Sequence, residues 1–229
     1  MIDLTGKTVL ITGANGALGQ AVADRAAALG ASLILASRSF AQRTTTDHPQ
    51  AQLLTLDLAE PGALGAALAG TGRIDALFNI AGGFAMGETS YDPLGATWQA
   101  MFRVNVDTLR HSFQAVVPRM IEQGRGAVVN VGALSALKGT AGMSAYVASK
   151  SVVLRLTESL SAEVRQHGVN VNAVLPSIID TPANRAAMPD ADPAKWVAPA
   201  DLANVICFLG SDAARAVHGA LLPVVGLSG

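Results

Sequence analysis

Thr8-Val9-Leu10-Ile11-Thr12-Gly13-Ala14-Asn15-Gly16-Ala17-Leu18-Gly19 is the stretch on which the fold turns. A short β-branched run ends at a glycine and an alanine-rich stretch of helical period opens at Ala17, which predicts a strand, a tight turn and a helix N-terminus. Glycines allow the sharp turn and a close backbone approach, while the free amides and the positive end of the helix dipole attract a pyrophosphate. Gly13, Asn15, Gly16, Ala17, Leu18 and Gly19 are therefore expected to cradle a dinucleotide. On this motif alone, an ordinary glycine-bearing strand-to-helix turn is the alternative.

Outward from that segment, short apolar runs alternate with longer helix-period stretches, the pattern of parallel strands joined by crossover helices. Strands are expected at Thr8–Thr12, Ser32–Ala36, Gln52–Asp57, Ala76–Ile80, Ala127–Val131, Val169–Leu175 and Leu221–Val225. Helices are expected notably at Ala17–Leu29, Thr97–Glu122, Ala145–His167 and Pro199–Leu209. Several strands read as continuous apolar runs, as strands covered on both faces should. The expectation is an α/β, Rossmann-type doubly wound fold with a seven-stranded, mainly parallel sheet, in a single domain over residues 1–229. Pro176–Val197, rich in Pro, Asp and Asn, is expected to be a substrate lid, since loops of that length in compact domains are usually functional.

Half of the 229 residues are hydrophobic and only 14% are charged, which excludes a disordered chain. Lys plus Arg number 16 against 17 Asp plus Glu, leaving no positive field for a nucleic acid or an anionic membrane surface. Cys207 cannot form an internal disulfide, and with His48, His111, His167 and His218 it has no metal-ligand spacing, so no metal site is expected. The N-terminus has an early acid, Asp3, and a short apolar run, and no later run is long enough to span a bilayer. The expected setting is cytoplasmic and the expected partner a small molecule.

At the end of the second strand, where a dinucleotide fold usually places an acid for the ribose 2′-hydroxyl, the residues are Ser37-Arg38. A guanidinium beside a small hydroxyl suits a 2′-phosphate, so NADP(H) is favoured over NAD(H), with a solvated loop charge as the other reading of Arg38. Arg43 is a weaker candidate for the same phosphate. Asp57 is expected either to accept a hydrogen bond from an adenine amino group or to cap a helix beginning near Glu60.

Tyr146-Val147-Ala148-Ser149-Lys150 places a phenol and an ammonium on one helical face. The cation is expected to draw the phenol pKa down, making Tyr146 a general acid for a carbonyl or imine, with Lys150 also able to hold a nicotinamide ribose.

With these residues the chain resembles the short-chain dehydrogenase/reductase family over nearly its whole length. The matching pieces are Thr12–Gly19, Asp57, Asn79-Ile80-Ala81-Gly82, Asn105, Tyr146 with Lys150, and Asn172–Thr181. The resemblance implies that Asn79, Ala81 and Gly82 support the cofactor-facing sheet edge and that Asn105 holds a water in a proton relay behind Lys150. It also implies that Leu58, Pro176, Ile179 and Thr181 complete the cofactor contacts, Thr181 at the nicotinamide end, and that the subunits form a homodimer or homotetramer.

Two positions depart from the family pattern. Ala17 stands where a glycine is usual, with Gly16 one place earlier. Ala133 stands where the family carries a serine that polarises the substrate carbonyl, and either Ser135 or Ser144 substitutes for it or satisfies local backbone groups instead. Losing an oxyanion donor weakens reduction of an ordinary ketone more than that of a conjugated acceptor. This pattern, with the loop Ala81–Gly87 and the lid, looks like the quinonoid dihydropteridine reductases, in which Phe84 would stack on a flat heterocycle or else merely cover the core. The expected activity is NADPH-dependent reduction of a small carbonyl or conjugated imine, possible substrates including a quinonoid dihydropterin. A dinucleotide-binding sensor or scaffold without turnover is the alternative.

Overall fold

The computed structural model describes residues 2–40, 47–93 and 95–228. Seven strands form one sheet: β1 (Thr8–Thr12), β2 (Ser32–Ser37), β3 (Gln52–Thr55), β4 (Ala76–Asn79), β5 (Gly126–Val131), β6 (Val169–Pro176) and β7 (Leu221–Val224). Their order is β3-β2-β1-β4-β5-β6-β7 and every neighbouring pair is parallel. The expected sheet is thus fully, rather than mainly, parallel. The order reverses between β1 and β4, where Thr12 stands in register with Asn79. A ligand crevice opens at such a switch point, outside the carboxyl ends of the strands.

The main helices are α1 (Ala17–Ala28), α2 (Ala63–Ala67), α3 (Ala96–Phe102), α4 (Thr108–Gln123), α5 (Ser144–Val164), α6 (Pro182–Ala187) and α7 (Pro199–Leu209). They cover both faces because alternate strand residues point to opposite sides. Val9 and Ile11 of β1 pack with Val22 and Ala26 of α1 and with Leu202 and Ile206 of α7. Leu10 faces the other layer, with Val116 and Met120 of α4 and Leu160 and Val164 of α5. All three of these β1 side chains are fully buried, which is why the strand reads as a continuous apolar run.

Three sequence expectations need correction. The helix expected over Thr97–Glu122 is interrupted by a π-helical turn, Arg103–Asp107, with Asn105 at its centre. Periodicity does not signal one inserted residue per turn, and such bulges gather at functional sites. The helix expected near Glu60 begins only at Ala63. The Pro176–Val197 segment, expected to be an irregular lid, contains α6 and a 3₁₀ turn, Pro193–Lys195, and is pinned where the Asp180 and Val197 amides donate to Val197 and Ile178 carbonyls at 2.8 Å each.

Candidate active site

The turn after β1 is shaped by close approaches. Gly13 has φ +66°, and a Cβ there would lie 2.7 Å from Ala81 backbone atoms; a Cβ on Gly19 would lie 2.2 Å from the Gly13 carbonyl oxygen. Gly16 caps α1 in an extended conformation open to any residue, and Ala17 simply begins the helix, so the Gly16-Ala17 arrangement leaves the turn intact. No side chain caps this N-terminus and its first turn holds no acid. Gln20 Nε2 donates to the Asn15 carbonyl at 3.0 Å, bracing the turn from inside the helix. Uncapped amides with no competing anion fit a dinucleotide pyrophosphate.

The rim of the crevice is a set of buried polar ties. Thr12 Oγ1 accepts from the Ala81 amide at 3.2 Å, fixing the loop after β4 against β1. Asn79 Nδ2 donates to Asn130 Oδ1, and Asn130 Nδ2 to Thr157 Oγ1, each at 2.9 Å, linking β4, β5 and α5. Asn79 Oδ1 is sealed in without a partner among the described residues, an unsatisfied acceptor at the switch point.

Where the adenine side is expected, Ser37 is half-buried and Arg38 is exposed. Asp57 Oδ1 accepts from the Ala59 amide at 2.9 Å and Oδ2 from Arg103 at 3.2 Å. These bonds, the Ala59 amide first, hold the Asp57 carboxyl below its usual range. The local turn-capping role of Asp57 is thus filled, while its half-exposed carboxylate still faces outward. Leu58 is buried, and its carbonyl lies 3.0 Å from His111 Nδ1. Arg103 and His111 were not picked out from the sequence, because only tertiary packing brings the π-helical turn and α4 to the Asp57–Leu58 turn after β3. Arg43 lies outside the described residues.

At the chemical end Lys150 is buried and its Nζ donates to the Val131 carbonyl at 2.8 Å. Asn105 Nδ2 donates to Ser149 Oγ at 3.0 Å, and Ser149 Oγ donates to the Tyr146 carbonyl at 2.8 Å. Asn105 Oδ1 and Lys150 Nζ both lie beside Gly82: a Cβ there would stand 2.9 and 3.2 Å from them. The two residues therefore meet at one point on the loop after β4. Ser149 was legible inside the Tyr146–Lys150 pentad, but its partner was visible only once α4 and α5 were packed together.

The phenol of Tyr146 is pushed up to about 12 and the ammonium of Lys150 pulled down to about 8, in both cases by burial. This corrects the expectation that the cation lowers the phenol: burial disfavours the charged form of each group and is what shifts both. Tyr146 Oη has no protein partner among the described residues. Phe84 meets the Tyr146 ring edge-on, with centroids 4.9 Å apart and planes at 78°.

Ala133 is buried in an apolar cluster with Ala136, Leu154, Ala173 and Leu175, against which Tyr146 packs. Ser135 begins no hydrogen bond from its hydroxyl among the described residues, and Ser144 opens α5. Pro176 ends β6, Ile179 bridges to Val197, and Thr181 caps α6 through Oγ1, which accepts from the Asn184 amide at 3.2 Å. Asn184 Nδ2 donates to the Ile179 carbonyl at 2.8 Å, so the segment after β6 is internally tied.

The family model described as short chain dehydrogenase matches residues 7–192. The chain belongs to the short-chain dehydrogenase family. It is 33% identical to galactitol 2-dehydrogenase of Rhizobium johnstonii, over 96% of this chain and 94% of that protein. It is 30% identical to 2-keto-3-deoxy-L-fuconate dehydrogenase of Xanthomonas campestris pv. campestris, over 91% and 75%. Among solved structures it is similar to a gluconate 5-dehydrogenase from Burkholderia cenocepacia J2315 in complex with NADP and tartrate, with TM-score 0.89, 29% identity and coverage of 99% and 96%. These short-chain dehydrogenases are named for a polyol and sugar acids, which corrects the expectation of a dihydropteridine reductase-like branch. The residues behind that expectation, Ala133 and the loop around Phe84, lie beside Tyr146 and do not identify a heterocycle. Among the described residues, no helix is long and apolar enough to cross a membrane.

Proposed function

We propose that this short-chain dehydrogenase interconverts a ketone and a secondary alcohol on a small molecule, with NADP(H) as the favoured coenzyme and NAD(H) as the alternative. The observation that carries the reading is Tyr146: a half-buried phenol whose oxygen has no protein partner among the described residues, one helical turn from the buried Lys150. NADP bound to the Burkholderia relative and the exposed Arg38 at the end of β2 support the coenzyme preference. Gly13 to Gly19 would hold the pyrophosphate, Ser37 and Arg38 the 2′-phosphate, and Asp57 and Leu58 the adenine side. Asn79, Ala81, Gly82, Pro176, Ile179 and Thr181 would line the nicotinamide side. When bound, the coenzyme supplies or accepts the hydride.

The chain's own residues handle the proton. A phenol pushed up to about 12 keeps its proton at neutral pH, so Tyr146 is poised as the donor to a developing alkoxide. Lys150, pulled down to about 8, exchanges its proton near neutrality and can reload the phenol. Asn105 places the loop at Gly82 and Gly83 and is a positioning residue.

The test is coenzyme turnover, followed by nicotinamide absorbance, with a panel of ketones and their alcohols. Turnover that is lost in Tyr146→Phe, with NADPH binding retained, is the expected result. Binding of NADPH without turnover across the panel would overturn the reading in favour of a dinucleotide-binding sensor.

A further inference from the structure

We infer that this site, taken as the carbonyl-reducing crevice proposed above, selects carbonyl compounds that carry their own activation and a flat apolar flank. Aryl 1,2-diketones are the class it fits, in preference to keto acids of the sugar type. Three observations point to that class. The wall beside the phenol is built of methyl groups: Ala133, only 4% exposed, stands with Ala136 and Leu175 in the cluster that Tyr146 packs against. On the other side Phe84 stands edge-on to Tyr146 yet remains 54% exposed, and Met86, two residues on, is 64% exposed. This apolar lip is held in place, because the Gly87 amide donates to the Gly142 carbonyl at 2.8 Å, tying it to the loop that precedes α5.

The chemistry follows from what these walls can and cannot do. Position 133, where the family resemblance puts the polarising serine, carries no hydroxyl, so the developing oxyanion lacks that donor beside Tyr146, and the loss of one such donor lowers turnover by roughly 10²–10³-fold for a ketone that needs it. A second carbonyl next to the first withdraws electron density and offsets that loss from within the substrate. An aryl flank gains edge or offset contacts with Phe84 and sulfur contact with Met86. A carboxylate placed against the same side chains would lose water without a partner. Arg185 of the lid is already forked onto Asp180 at 2.6 and 2.8 Å.

The reaction balances with the reduced nicotinamide of the proposed function. The carbonyl carbon gains a hydride with its electron pair, the C=O π bond breaks, and the oxygen takes the Tyr146 proton. The products are a hydroxyketone and the oxidised coenzyme.

The experiment compares kcat/KM with NADPH for 1-phenylpropane-1,2-dione, acetophenone, butane-2,3-dione and 5-ketogluconate. The phenyl diketone should exceed 5-ketogluconate by at least about 10²-fold, and Ala133→Ser should raise acetophenone reduction by about tenfold or more. Phe84→Ala should lower kcat/KM for the phenyl diketone more than for butane-2,3-dione. Preferred reduction of 5-ketogluconate would overturn this inference and leave the proposed function standing, as would faster phenyl diketone reduction in Phe84→Ala, which would make Phe84 a cover. No reduction of any of the four, with NADPH bound and no alcohol oxidised, would remove the proposed function itself.

Discussion

Asn105 grips Gly83 by both of its backbone groups: Oδ1 accepts from the Gly83 amide at 2.9 Å and Nδ2 donates to the Gly83 carbonyl at 3.1 Å. A primary amide here imitates the edge of a neighbouring strand and completes the backbone pairing of a loop that the sheet no longer supports. The π-helical turn Arg103–Asp107 is what aims the amide there. The same Nδ2 also reaches Ser149, so one side chain joins the loop after β4 to the helix bearing Tyr146 and Lys150. The side chain of Asn105 thus has a structural occupation beyond the water-holding role that the family resemblance implied.

Asn105→Ala should therefore uncouple the two halves of the site. Leaving the Gly83 amide, its carbonyl and Ser149 without their partner should destabilise the protein by about 2–4 kcal/mol, read as a lower midpoint in urea unfolding. Asn105→Asp keeps the acceptor and loses the donor. It should fall between Ala and the parent in stability, and an alanine variant as stable as the parent would mean that the clamp carries no weight.

Gly82→Ala should damage activity more than stability. Its methyl group would stand 2.9 Å from Asn105 Oδ1 and 3.2 Å from Lys150 Nζ, so Asn105 must shift and Lys150 must give by a few tenths of an ångström. A fall in kcat of at least about tenfold, with a smaller proportional change in the KM for NADPH, is the expected kinetic pattern.

Lys150 makes stability depend on pH. Its pKa is about 8 in the folded protein against 10.5 for the free side chain, so between these values the unfolded chain holds the extra proton and stability rises with pH. The charged side chain opposes folding in full below about 8, by as much as about 3 kcal/mol. Tyr146 acts oppositely at higher pH: with its pKa raised from 10.0 to about 12, stability falls through that interval. Lys150→Met should unfold at a higher temperature than the parent at pH 7, lack the gain in stability between pH 8 and 10, and have no measurable turnover. A parent protein whose midpoint is flat between pH 8 and 10 would contradict this account.

Arg38 and Arg103 should separate two kinds of coenzyme contact. Arg38→Ala removes a charge suited to the 2′-phosphate and should raise the KM for NADPH by about tenfold or more while leaving that for NADH within about twofold. Arg103 touches Asp57 at 3.2 Å and Glu60 at 2.6 Å, so its removal should loosen the adenine side and raise both KM values together. Equal effects of both substitutions on both coenzymes would show that Arg38 does not read the phosphate.

The sequence by itself determined the strand–turn–helix at Thr8–Gly19, the seven-strand α/β alternation, and the phenol and ammonium one turn apart at Tyr146 and Lys150. These are local facts: periodicity, β-branching and glycine placement act over a few residues, and a four-residue spacing on a helix needs no tertiary information. Only the tertiary structure decided where the α3–α4 run breaks into a π-helical turn, which loop Asn105 holds, that Arg103 and His111 brace the Asp57–Leu58 turn, and that burial raises the Tyr146 phenol. Each of those depends on groups brought together from distant parts of the chain and on how much water the packing expels. Dielectric surroundings and close approaches exist only once the layers have closed over the sheet.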